Sequence, residues 1–132
     1  NRAQKENPGG SAAKASAKQE SDMKLPNRES AYIPSLKLHD YLLSETHSVG
    51  RWKARFFRAL GFDETNVDIL EQRLIAIAHS EDVRDVMSSV HGTKYVIEGS
   101  LETPIGRLVH VRTVWIIDAG QDRPRFVTAY PA

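Results

Sequence analysis

A histidine and a lysine near the middle of this 132-residue chain could act together on a phosphate. His47 precedes Gly50, where free backbone N–H groups at a predicted helix start could hold an anion. Histidine titrates near neutrality and can move a proton in acid–base catalysis. Lys53 falls beside Phe57 and Leu60, on the apolar side of the same predicted helix. Since buried lysines rarely lack a partner, the residues predict either an ammonium that snorkels to an edge or a prepared anion site.

A second polar group lies near the C-terminus, on two predicted strands. If Trp115 pairs with Thr128, then Thr113 pairs with Tyr130, and these hydroxyls share one sheet face with Arg112 at its margin. Threonine and tyrosine are also common strand residues. A functional interpretation therefore needs a second element to bring a partner, and the helix that carries Lys53 is the candidate.

The elements that must position these groups follow from periodicity. A first helix runs from Gly50 to Gly61, and a second runs from Thr65, in capping-box spacing with Asp68, to Ser80. A short helical turn is expected at 39–44. After Ser80 the period changes to two, with four short-looped strands. The fold class is therefore α+β, with two N-terminal helices packed on a four-stranded antiparallel sheet.

The first helix has two stripes. Arg51, Arg55 and Arg58 share one of them. Trp52, Phe56, Ala59 and Leu60 share the opposite one, which should face the core.

Composition divides the chain into a tail and one domain. Residues 1–31 are rich in Ala, Ser, Lys, Gly and Pro, and predict a polar flexible linker. Residues 32–132 hold the apolar periodicity and predict the folded domain. No apolar run approaches the roughly 20 residues that a membrane helix needs. The absence of cysteine excludes disulfides, thiolate zinc sites and cysteine nucleophiles. No histidine pair has metal-ligand spacing, so no metal or cofactor is expected.

Three stretches resemble, in order, a small bacterial domain that occurs alone and at the C-terminus of large secreted polymorphic toxins: YLLSETHSVGRWKARFF, GTKYVIEGSLETPIGR and VRTVWIIDAGQDRPRFVTAYP. The match covers about residues 36–131, and its motifs are H-x-V-G-x-x-K-A and R-T-V-W…T-A-Y-P. The element order also looks like the barnase/EndoU/colicin/RelE class of ribonucleases, which many contact-dependent growth-inhibition toxins use to cut tRNA.

The resemblance implies a metal-independent endoribonuclease toxin that cleaves tRNA in the cytoplasm of competing bacteria. It implies a cognate immunity protein as partner and a large secreted carrier linked upstream. The implied catalytic residues are His47, Lys53, Arg112, Thr113, Thr128 and Tyr130. The arginines expected to hold the RNA backbone are Arg51, Arg55, Arg58, Arg123 and Arg125.

The implied roles follow RNA cleavage by the substrate's 2′-hydroxyl. His47 would be the base or acid, and Tyr130 a second proton donor. Lys53 and Arg112 would stabilise the transition-state phosphate. Thr113 and Thr128 would orient it.

Three alternatives stay open at this point. The domain could bind RNA or protein without catalysis, and Lys53 would then be a snorkelling side chain. It could be a toxin of another chemistry, such as ADP-ribosyl transfer, which would require NAD. It could also be a structural domain of a larger protein, harmless when expressed.

Overall fold

The computed structural model describes residues 23–34, 37–38 and 51–132 of the chain. The helices are α1 (Arg51–Ala59) and α2 (Val67–Ser80). The strands are β1 (Val83–Ser89), β2 (Gly92–Glu102), β3 (Leu108–Asp118) and β4 (Arg125–Pro131). The strands form one antiparallel sheet in the order β1-β2-β3-β4. The predicted arrangement of two helices and a four-stranded antiparallel sheet is confirmed, while the turn predicted at 39–44 lies outside the described residues.

The side of the sheet that packs on α2 is called the core face here. Its buried side chains come from all four strands: Val83, Tyr95, Ile97, Leu101, Val111, Thr113, Trp115, Phe126 and Ala129. The rings of Trp115 and Phe126 meet edge to face, with centroids 5.3 Å apart. A side chain at Gly99 would begin 3.0 Å from Ile77, so this glycine permits the close approach of α2 to β2. Each large apolar side chain buried here contributes about 1.5–3 kcal/mol.

The predicted core-facing stripe of helix α1 is only partly confirmed: Leu60 is buried and Phe56 packs against the core, but Trp52 and Ala59 are exposed. Ala54 and Phe57 are fully buried and Leu60 nearly so, whereas Trp52 is 53% exposed. The expectation that Trp52 faces the core is therefore wrong. Adjacent aromatic residues at 56 and 57 make the apolar stripe of this helix ambiguous, and packing resolves it in favour of Phe57.

The start of α2 also differs from the predicted capping box. Asn66 is the N-cap, and Thr65 instead donates its hydroxyl proton to Asp63. The Asn66 amide donates to the Gly61 carbonyl over 2.9 Å, and its oxygen accepts the Asp63 N–H over 2.8 Å. This turn locks α2 to the end of α1.

Residues 23–34 form a strap that joins the two edges of the sheet. Leu25 is buried in the core, as is Ile33. The Val83 N–H donates to the Met23 carbonyl over 2.8 Å, and the Phe126 N–H donates to the Tyr32 carbonyl over 3.0 Å. Residues 23–31 of the predicted linker therefore pack into the folded domain, and residues 1–22 lie outside the described part.

The register of β3 and β4 corrects the predicted one. Arg112 pairs with Tyr130 and Val114 with Thr128, but Trp115 pairs with Phe126. Val127 is the extra residue of a β-bulge between these pairs. The bulge places Phe126 on the core face and Thr128 on the other side, although residues two apart share a face in a regular strand.

Candidate functional site

The side of the sheet opposite the core face, called the outer face here, carries a cluster of ion-paired side chains. Glu98 on β2 lies across from Arg112 on β3, which lies across from Tyr130 on β4. Arg112 donates to Glu98 Oε2 through Nε, at 2.7 Å, and through Nη2. Arg84 donates to Glu98 Oε1 over 3.1 Å, and His110 Nε2 lies 3.2 Å from the same oxygen. The Glu98 carboxylate thus contacts two guanidinium groups and an imidazole.

The ionisation of this cluster is set mainly by its own contacts. Hydrogen bonds from Arg112 hold the pKa of Glu98 below its ordinary value, although burial of the carboxylate acts in the opposite direction. Glu98 reciprocally raises the pKa of Arg112, and Tyr130 adds to that rise in smaller measure. The side chain of Glu98 is only 9% exposed, so the pair persists as ions in a partly dry setting.

Helix α1 delivers a second cation to β4. Lys53 Nζ donates to Thr128 Oγ1 over 2.8 Å, and both side chains are half-buried. Thr128 lies two residues before Tyr130 on the outer face. The ammonium that the sequence placed on an apolar helical side therefore reaches the strand that also presents Tyr130 to Arg112.

A cavity of about 330 Å³ opens on the outer face. Its lining side chains come from all four strands: Arg84, Asp85, Met87, Val96, Glu98, Arg112 and Tyr130. The volume lies within the range of small-molecule sites, about 300–1,000 Å³. Polar groups at its rim and apolar Met87 and Val96 in its lining suit a ligand with both a charged and a flat apolar part.

The predicted catalytic residues divide into three groups. Lys53 on α1 contacts Thr128 on β4, and Arg112 on β3 pairs with Tyr130, two residues further along β4. Thr113 is not on that face, and the predicted patch of three hydroxyls is not formed. His47 lies outside the described residues.

Thr113 is fully buried on the core face. Its hydroxyl donates to the Ile97 carbonyl over 2.8 Å and accepts the Trp115 indole N–H over 2.9 Å. The reason is the register: Thr113 pairs with Ala129, so Thr128 and Tyr130 lie on the opposite face of the sheet. Its contacts are those of a structural residue.

The five predicted RNA-binding arginines have different surroundings. Arg51 and Arg55 are exposed on α1. Arg58 pairs with Glu64, and Arg125 makes two hydrogen bonds to Asp118.

The fifth of these arginines, Arg123, lies with its guanidinium carbon 4.1 Å from the Tyr32 ring centroid and donates to the Ser30 carbonyl over 3.0 Å. It therefore helps to hold the strap.

Sequence reasoning missed Glu98, and with it the roles of Arg84 and His110. A glutamate in the alternating stretch TKYVIEGSLE is usually interpreted as a solvated strand residue. The sequence did place His110 on the same face as Arg112, since the two lie two residues apart on one strand. Pairing β2 with β3 across the TPIGR loop would have added Glu98 to that face.

Within residues 23–34, 37–38 and 51–132, no group of three or more His, Asp or Glu side chains is placed to hold a metal ion. None of the helices in that part of the chain is long and apolar enough to cross a bilayer.

Comparison with known proteins identifies a family model that matches this chain and a solved structure with a similar fold. A family model described as "Domain of unknown function (DUF6883)" matches residues 24–132. Comparison with curated proteins gives no match. Among solved structures, one similar chain belongs to a contact-dependent growth inhibition toxin–immunity protein complex from Klebsiella pneumoniae 342. Its TM-score is 0.62 at 17% identity, covering 79% of this chain and 95% of that chain. At this identity the likeness shows the fold alone.

Proposed function

We propose that this chain, which belongs to the DUF6883 family of domains of unknown function, is the ribonuclease domain of a contact-dependent growth-inhibition toxin. It cleaves tRNA without a metal ion or cofactor, and a cognate immunity protein neutralises it. The observation that carries the proposal is the Lys53–Thr128 hydrogen bond of 2.8 Å, which brings an ammonium to the strand that also carries Tyr130, the partner of Arg112.

The chemistry of RNA cleavage needs what this face offers. Attack by the 2′-hydroxyl crowds negative charge on the phosphate, and preorganised cations stabilise that charge. Lys53 on α1 and Arg112 on β3 supply two such cations, one hydrogen-bonded to Thr128 and the other paired with Tyr130 on β4. A guanidinium has five N–H donors, and Glu98 takes those of Nε and one on Nη2, so further donors remain for a phosphate.

Proton transfer has two assigned routes. His47 is the base or acid that the sequence motif supplies, and Tyr130 is a second donor. Glu98 is not assigned to proton transfer, because its hydrogen bonds from Arg112 lower its pKa and make the carboxylate a weaker base. Thr128 orients Lys53 through its hydroxyl oxygen.

The toxin assignment has its own support. The sequence motifs resemble C-terminal toxin domains, and the fold is similar to that of a chain from a toxin–immunity protein complex. The immunity protein, the carrier upstream and entry into a target cell come with that assignment. Exposed Arg51 and Arg55 give the domain a basic surface that an acidic inhibitor complements.

Cleavage of total tRNA by the purified domain, with EDTA and without NAD, tests the proposal. The Lys53→Met variant should remain folded yet lose about 10²–10³-fold in rate, as expected for a lost electrostatic donor. Lys24→Met is the matched control, because Lys24 pairs with Asp82 at the start of β1 rather than with the candidate site. Tyr130→Phe keeps the ring and removes only the proton donor.

The outcomes separate the alternatives. Wild-type protein that binds tRNA without producing fragments contradicts catalysis and favours a binding module. Activity that appears only when NAD is added favours ADP-ribosyl transfer. Lys53→Met protein with full activity refutes the site while leaving the ribonuclease function standing.

A further inference from the structure

Trp52 is an exposed aromatic side chain at the beginning of α1. Its exposure is 53%, whereas Trp115, the chain's other tryptophan, is fully buried. Tryptophan is costly to leave in water and is enriched where proteins bind other molecules. A single exposed apolar residue is ordinary by itself, so its neighbours decide what it can do.

The neighbours of Trp52 link it to the candidate site. Lys53 Nζ lies 5.6 Å from the centroid of the Trp52 ring. The same nitrogen donates to Thr128 Oγ1. The indole thus lies next to the Lys53 ammonium, which is the cation that the proposed function assigns to the phosphate.

The charged residues of helix α1 are all of one sign. Arg51 and Arg55 are exposed on the same helix, and the first turn of α1 holds no acidic residue. A flat apolar surface bordered by cations complements a ligand that alternates planar rings with negative charges. Single-stranded nucleic acid has that composition, because each unpaired base offers a π-face next to a phosphate.

We infer that Trp52 is a stacking platform for an unpaired nucleobase next to the phosphate held by Lys53. The inference rests on the proposed function and adds a substrate class: unpaired nucleotides, as in loops or single-stranded ends, rather than duplex. Bases inside a duplex already stack on both sides and cannot lie flat on the indole. Stacking of one base on an aromatic side chain makes binding about 5- to 150-fold tighter.

Titration with an eight-nucleotide 2′-O-methyl oligoribonucleotide of mixed sequence tests this inference. The probe lacks the attacking hydroxyl, so binding is measured apart from cleavage. We expect quenching of the exposed tryptophan emission, and weaker binding by about 5- to 150-fold in Trp52→Leu. Trp52→Phe keeps a ring and should bind within a fewfold of wild type. Leu108→Ala is the control for an exposed apolar residue elsewhere, since Leu108 is 68% exposed at the start of β3.

Each outcome decides the inference. Equal affinity of Trp52→Leu and wild-type protein for the oligonucleotide overturns it, as does equal wild-type affinity for the oligonucleotide and its duplex. The inference is also overturned if Trp52→Leu no longer binds a co-expressed inhibitor protein but keeps its affinity for the oligonucleotide. That result assigns the indole to a protein interface. The ribonuclease function fails separately, in the tRNA cleavage assay with wild-type protein.

Discussion

Replacing Thr113 by valine should mainly lower the stability of the domain, whereas replacing Thr128 by valine should mainly lower its activity. Both threonines were predicted to act on the substrate, but the sheet places them on opposite faces. Valine keeps the β-branched shape and removes only the hydroxyl, so each substitution removes hydrogen bonds with little change in packing volume. The two variants serve as controls for each other.

The expected cost of Thr113→Val comes from two buried hydrogen bonds. Its hydroxyl donates to the Ile97 carbonyl at 2.8 Å and accepts the Trp115 indole N–H at 2.9 Å. The hydrogen bond to the Ile97 carbonyl contributes about 1 kcal/mol, and loss of the other bond leaves the indole N–H without its acceptor at a cost of about 1–3 kcal/mol. We therefore expect the free energy of unfolding to fall by about 2–4 kcal/mol. For a domain of this size the melting temperature falls by on the order of 10 °C or more.

Thr128→Val should cost little stability but a larger part of the cleavage rate. The lost hydrogen bond to Lys53 is half-exposed, so the free energy of unfolding should fall by only about 0.5–1.5 kcal/mol. The ammonium, however, loses the oxygen that positions it. Small misplacement of a catalytic group can cost about 10²-fold in rate, so we expect tRNA cleavage to slow by about 10- to 100-fold.

Urea unfolding followed by Trp115 emission gives the stabilities, and initial rates of tRNA cleavage give the activities. Rates must be compared at a temperature where both variants are folded. The reasoning is refuted if Thr113→Val is as stable as wild type, or if it loses more activity per folded molecule than Thr128→Val. Equal stability loss in both variants would contradict the observed register.

Two further predictions concern Glu98 and the strap. Because Arg112 lowers the pKa of Glu98, the pair stabilises the fold fully above the ordinary glutamate value, about 4.3, and this contribution is lost as pH falls through the lower folded pKa. The difference in urea midpoint between wild type and Glu98→Gln should therefore be constant above about pH 5 and shrink in more acidic buffer; a difference that does not change with pH would contradict the assigned cause. Leu25→Ala should cost about 2–5 kcal/mol of unfolding free energy, because Leu25 is 1% exposed, whereas Met23→Ala at a 43% exposed position should cost little. If both variants unfold at the wild-type midpoint in urea, the strap does not belong to the cooperative core.

The element order could be predicted from the sequence because periodicity changes once, at Ser80. Apolar spacing of three and four before it and alternation after it specify helices and strands. Short turns then leave an antiparallel meander as the simplest topology. The inward direction of Lys53 was also predictable, since the lysine shares a helical side with buried Phe57.

The residues that make up the site were harder to predict from the sequence. Alternation alone does not reveal an extra residue in a strand, so the predicted pairing missed the bulge at Val127, which places Thr128 and Tyr130 on the opposite face from Thr113. The buried stripe of α1 depended on a choice between Phe56 and Phe57 that only tertiary packing makes. Glu98 became visible only when β2 was paired with β3, because its partners Arg112 and Arg84 lie on different strands.

The bulge at Val127 has a consequence for how this domain can diversify. The extra residue changes which side chains of β4 face inward. Phe126 before it is buried in the core, whereas Thr128 and Tyr130 after it lie on the outer face. Substitutions after Val127 can change ligand preference without repacking the interior, whereas deleting this one residue would exchange the inward and outward positions along the end of the strand. The outer face can thus vary on an unchanged scaffold as long as the extra residue is kept.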